Sequence, residues 1–161
     1  MRNMNSETVK AWTISALVAM ALVAASPMAR AADDPANIVK YRRTVMQTIA
    51  GHINAIAGIV KGKVSFPAHI APHARAMHAM SNLLYDIFPE GTGVGKTRAK
   101  PEIWQEPVKF RAAIDAFRSE SGRLALIAEG GDLAAIGAQL KKVGKACGGC
   151  HKPFRQKKKK Q

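Results

Sequence analysis

From Ile38 to Phe154 the apolar residues return at steps of three and four, in four runs separated by glycine and proline. That spacing is the period of a helix with one buried face. The first run is Ile38, Tyr41, Val45, Met46, Ile49, Ile53, Ile56 and Val60. Asp34 or Asn37 is placed to cap it, Pro35 suits a first turn, and Lys61-Gly62-Lys63 closes it. The second begins near Pro67 or Pro72, turns Ile70, Met77, Met80, Leu84, Ile87 and Phe88 inward, and stops at Pro89. Residues 89–101 hold three glycines and two prolines, which marks a long loop of the kind that often carries function. The third run starts near Pro107 and shows Phe110, Ile114, Phe117, Leu124 and Ile127 or Ala128. Glu129-Gly130-Gly131-Asp132 reads as a stop, a turn and a new cap. The fourth carries Leu133, Ile136, Leu140, Val143, Cys147, Cys150 and Phe154. Four amphipathic helices with short or moderate connections predict an all-α, antiparallel up-down-up-down four-helix bundle.

Composition agrees with that expectation. At 161 residues, 47 % hydrophobic and 22 % charged, the chain is of ordinary globular make-up and the length of one domain. Aromatic residues are only 6 %, and few alternating runs appear, which argues against an all-β sandwich. There is no βαβ pattern, internal repeat or glycine-rich phosphate loop.

Residues 1–31 read as a segment for export. Arg2 and Lys10 give a positive start, and Ala11 to Ala25 is an uncharged, mostly apolar run shorter than the roughly 20 residues that span a bilayer. Ser26-Pro27 breaks it, and Ala29-Arg30-Ala31 places small residues as a cleavage site requires. The mature chain, residues 32–161, is expected to begin at Ala32, with no later membrane-length apolar run, and to reside in a bacterial periplasm. The removed segment carries Arg2, Lys10 and Arg30 against Glu7, so the net charge of +14 falls to +12. Residues 157–161 are expected to be a frayed basic tail.

One motif carries chemistry: Cys147-Gly-Gly-Cys150-His151. Residues three apart on a helix point to nearly the same side, so two such thiols can add to the two vinyl groups along one porphyrin edge. The adjacent histidine can then offer an imidazole nitrogen to the iron. C-x-x-C-H is the attachment signature of c-type haem. A structural zinc site needs four ligands, commonly two such pairs. A redox dithiol of the thioredoxin kind sits at a helix N-terminus beside a βαβ unit. A plain disulfide has no use for His151. The expected cofactor is therefore one covalently attached haem c per chain, with Cys147 and Cys150 as the attachment points and His151 as an axial iron ligand.

With these features the chain resembles the class II cytochromes c: cytochrome c-prime and its low-spin, methionine-ligated branch. The resemblance covers essentially the whole mature chain. It is carried by Val39 to Met46 (VKYRRTVM), by Phe88 to Gly93 (FPEGTG) and Arg98 to Trp104 (RAKPEIW), and by Cys147 to Arg155 (CGGCHKPFR), with Phe154 where tyrosine is more usual. Bundle topology alone places the haem between the first turns of helix one, the last turns of helix two and the 89–101 loop, which leaves Met46, Met77, His78 and Met80 as candidates for the second face of the iron. The resemblance implies Met46, four positions after Arg42, as that residue. It also implies that Arg42 and Arg43 lie near the haem propionates and that Thr92 and Gly93 approach the haem edge. Arg155 lies one turn after His151, within reach of its free face.

Among the other histidines, His69 and His73 are four apart but show no third metal ligand, and His52 and His78 are expected to have no iron contact. The basic residues are spread over all four helices without interleaved aromatics, which disfavours a nucleic-acid partner. They fit docking to an acidic redox protein, and they leave a homodimer open. The expected function is a periplasmic monohaem electron carrier with His151 and Met46 as axial ligands. The alternative is a high-spin, five-coordinate cytochrome c-prime that binds small gases such as nitric oxide. No distal acid–base pair is identifiable, so a haem enzyme is not expected.

Overall fold

The computed structural model describes residues 33–157. The expected signal peptide, residues 1–31, and the tail beyond Lys157 lie outside the described residues. Helix α1 spans Pro35–Val60, α2 Ile70–Ser81, α3 Glu102–Gln105, α4 Pro107–Glu129 and α5 Leu133–Phe154. The four long helices form the expected bundle, in the spatial order α1, α2, α4, α5. The pairs α4–α5, α2–α4 and α1–α2 pack extensively. The α1–α5 seam, which closes the ring, is much the sparsest. No strand occurs among the described residues beyond an isolated bridge between Ala99 and Arg155. None of the described helices is long and apolar enough to cross a membrane.

The helix ends follow local chemistry. The Asp34 carboxylate accepts from the Ala36 N–H at 2.9 Å and caps α1. Asp132 accepts from the Ala134 and Ala135 N–H groups at 2.8 and 3.2 Å and caps α5. Each satisfies backbone donors that have no partner within the first turn. Gly62 and Gly131 adopt φ of 65° and 72° in the turns after α1 and α4, where a side chain would be strained.

Three details depart from the sequence reading. Residues 82–85 tighten into a 3₁₀ turn, so the second helix ends as an α-helix at Ser81 although its apolar period continues to Phe88. A short helix, α3, follows the long loop. The buried stripe of α1 begins Val39, Arg42, Val45, Ile49, which leaves Tyr41 53 % exposed. Rotating α1 by that amount turns an arginine inward and a tyrosine outward, a choice that hydrophobicity alone opposes. The centre of the core is Ile56, Ile70, Met77, Leu124, Ile136 and Val143, all essentially inaccessible. Each such aliphatic side chain contributes about 1.5–3 kcal/mol on leaving water.

Candidate functional site

The last turns of α5 present Cys147, Cys150 and His151, all half-buried, with both thiols free. Burial raises the Cys147 thiol pKa, and burial with the neighbouring Cys147 pushes Cys150 up to about 11. Both are protonated at neutral pH. Burial lowers the pKa of His151, and Arg155 and Arg98 lower it further. The imidazole is therefore held neutral, the form that offers a lone pair to a metal.

The end of α5 is tied to the 89–101 loop. Lys100 N–H donates to the Phe154 carbonyl at 3.0 Å, and Gln156 N–H donates to the Arg98 carbonyl at 2.8 Å. The Arg98 Nε–H donates to the Gln156 carbonyl at 3.0 Å. The long 89–101 loop is thus strapped across the residues that follow His151.

An aromatic ladder links this end to α1. Phe154 meets Phe110 edge to face at 5.1 Å between centroids, and Phe110 meets Phe88 in the same way at 4.9 Å. The Arg42 guanidinium lies over the Phe88 ring, 4.6 Å from its centroid. Arg42 is only 4 % exposed. Its Nη2 donates to the Thr92 carbonyl at 2.8 Å, while its buried Nη1 has no partner. Burial lowers its pKa from the usual arginine value. The ion pairs among the described residues are Arg75–Glu129 and Lys109–Glu106, so no carboxylate neutralises it.

Of the residues singled out from the sequence, Arg42 and Thr92 are brought together, with Thr92 buried and its hydroxyl donating to the Pro89 carbonyl at 2.7 Å. Gly93 is pressed against an indole: a Cβ there would lie 2.9 Å from Trp104 Cζ3. The Trp104 Nε1–H donates to the Phe88 and Pro89 carbonyls at 3.1 Å each. Arg43 is exposed and makes no hydrogen bond or ion pair among the described residues. Met46 is half-buried one turn beyond Arg42 and packs against the core. Met77 is fully buried, and Met80 packs at the core margin. The sequence places Phe88, Phe110 and Phe154 on apolar helix faces, and nothing in spacing shows that they connect Arg42 to the end of α5 or that Trp104 packs on Gly93.

These residues fit a haem on three counts. The α1–α5 seam, where the motif lies, is the most sparsely packed of the four. A Cβ added at Gly144, Gly148 or Gly149 would touch nothing within 4 Å, so the motif face of α5 is clear. The unpaired Nη1 of Arg42 is a buried cationic donor suited to a propionate.

A four-helix bundle that ends in C-x-x-C-H defines a c-type cytochrome of the bundle class. Residues 37–155 match the Cytochrome C' family, and the chain belongs to it. It is 38 % identical over 140 residues to cytochrome c' of Rhodospirillum rubrum, covering 86 % of this chain and 95 % of that one. Among solved structures it resembles cytochrome c' from Rubrivivax gelatinosus, with a TM-score of 0.72 and 32 % identity over 77 % of this chain and 98 % of that one. It also resembles a nitric oxide complex of a variant cytochrome c prime from Alcaligenes xylosoxidans, with a TM-score of 0.71 and 31 % identity over the same shares. The cofactor is haem c, and the two thiols provide for covalent attachment.

Proposed function

We propose that this chain is a periplasmic, five-coordinate cytochrome that binds a small diatomic gas such as nitric oxide. The observation that carries the reading is near full-length kinship with cytochromes c', one of which is solved as a nitric oxide complex. Cys147 and Cys150 would hold the ring by two thioethers and His151 would be the single protein ligand to iron, and the haem would supply an iron able to take up a diatomic gas. Burial, reinforced by Arg155 and Arg98, keeps His151 neutral. Arg42, whose Nη2 is fixed on the Thr92 carbonyl, would offer its free Nη1 to a propionate. Phe88, Phe110 and Phe154 keep water from the same end of the bundle. Gas binding is reversible association, so no catalytic residue is assigned. The periplasmic location rests on the export signature of residues 1–31, and the basic charge of the chain suits an acidic protein as the reductant.

The second reading, an electron carrier with Met46 as the second iron ligand, is favoured by the place of Met46 on α1, half-buried one turn beyond Arg42. The optical spectrum separates the two. Gas binding expects a high-spin ferric form, rapid carbon monoxide binding by the ferrous form, and no change of spin state in Met46→Ala. A low-spin ferric spectrum with a near-infrared methionine–iron band, lost in Met46→Ala and kept in Met80→Ala, would establish the electron carrier instead.

A further inference from the structure

The sequence pairs His69 with His73 by their spacing, but the fold pairs His73 with His52. His52 projects from α1 and His73 from the first turn of α2, and their Nδ1 atoms are 2.9 Å apart. The ring centroids are 5.2 Å apart and the planes are tilted by 55°. Both residues are half-buried, so the pair has an open side. Neither ring is in an ion pair among the described residues. His69 is exposed and stacks on Phe66 at 5.1 Å. The pair stands ten residues beyond Arg42, about 15 Å along α1 at ~1.5 Å per residue, and so apart from the C-x-x-C-H end.

Two unprotonated Nδ1 atoms 2.9 Å apart repel one another unless they share a proton or a cation. One ring donates its N–H to the other, or a cation takes both lone pairs. The spacing selects among cations. With nitrogen–metal bonds of about 2.0–2.1 Å, two nitrogens 2.9 Å apart subtend an angle of about 90° at the metal, whereas a tetrahedral ion would need about 3.3 Å. A right angle is the cis edge of a tetragonal site, the geometry of Cu(II), which also tops the divalent affinity series for nitrogen ligands.

We propose that His52 and His73 form an interhelical two-imidazole site for a divalent transition-metal ion, with Cu(II) the best fit. No third histidine, cysteine or carboxylate joins them among the described residues, so water completes the coordination and the ion is exchangeable. Binding needs no net loss of a proton, because the donor ring only has to carry its hydrogen on Nε2 instead of Nδ1. A bound ion joins α1 to α2 and, by binding the folded chain, raises its stability.

The test is titration of the ferric holoprotein with copper sulfate, followed by electron paramagnetic resonance and thermal melting. The expected result is one Cu(II) per chain with hyperfine structure from two imidazole nitrogens, a copper-dependent rise in Tm, and weaker binding of Zn(II). His52→Asn and His73→Asn should each weaken Cu(II) binding by about tenfold or more and abolish the rise in Tm. His69→Asn and His78→Asn should leave both unchanged. Copper binding that survives His52→Asn and His73→Asn, that is lost equally in His69→Asn, or that leaves Tm where it was would overturn the proposal.

Discussion

Arg42 shows how one residue can be misplaced by hydrophobicity and placed by its bonding. A buried guanidinium is costly unless its donors are used. Here one nitrogen bonds the Thr92 carbonyl, the π face of Phe88 lies beneath the cation, and the other nitrogen is left for an anion. Its removal loses a charge-assisted hydrogen bond worth about 1.5–3 kcal/mol and a cation–π contact of about 0.5–1 kcal/mol or more. Arg42→Leu is therefore expected to destabilise the holoprotein by about 2–3 kcal/mol in denaturant titration. On the proposed placement of Arg42 beside the haem, its removal should also lower the midpoint potential, because a nearby cation favours the reduced, less positive iron. Arg42→Lys should restore part of the potential but not the stability, since a point charge lacks the fork that reaches Thr92 and an anion together. An unchanged potential in Arg42→Leu would separate this arginine from the haem.

Among the elements, α1 is the most informative, because its two ends do different work. Its first turns are fixed by Arg42 against the 89–101 loop, and its middle is joined to α2 through His52 and His73. Burial and the charge of His73 both lower the pKa of His52 from 6.5. Well above 6.5 the group is neutral folded and unfolded, and it contributes no pH dependence. As the pH falls below 6.5 the unfolded chain takes up a proton that the folded chain resists, so stability declines until the lowered folded pKa is passed. The expected outcome is a fall in Tm from pH 6.5 downward in metal-free holoprotein, reduced in His52→Gln. An identical slope in that variant would assign the loss to other groups. The straps from Arg98 and Lys100 to the end of α5 belong to the same scale. A loop of three glycines and two prolines is legible as irregular, but which segment it bonds depends on where α5 ends.

For the whole molecule, the sequence spreads the positive charge over all four helices, while the fold collects part of it. The bridge between Ala99 and Arg155 brings the stretch of Arg98 and Lys100 alongside that of Arg155, at the end that carries His151. Neither stretch, 94–101 or 146–157, contains an acidic residue. Exposed charge of one sign attracts an opposite reagent over roughly 8–10 Å at moderate salt and no farther. Oxidation of the ferrous protein by anionic hexacyanoferrate should slow as ionic strength rises, and oxidation by a cationic cobalt complex should quicken. Salt slopes of the same sign for both reagents would show that electrons leave elsewhere.

The four long amphipathic helices, their period, the cap at Asp132 and the C-x-x-C-H spacing of Cys147, Cys150 and His151 were legible in local sequence, whereas the choice of Asp34 over Asn37 as the first cap and the short helix α3 were not. Each legible feature depends on neighbours within about one helical turn, where spacing and side-chain chemistry act directly. The inward turn of Arg42, the exposure of Tyr41, the aromatic ladder from Phe154 to Phe88 and the meeting of His52 with His73 were decided only by tertiary structure. Those contacts join residues on different elements, and the rotation of each helix about its axis is chosen by the whole packed set. A buried arginine or a facing pair of imidazoles is stable only once a carbonyl, a ring or another nitrogen has been carried to it by the fold.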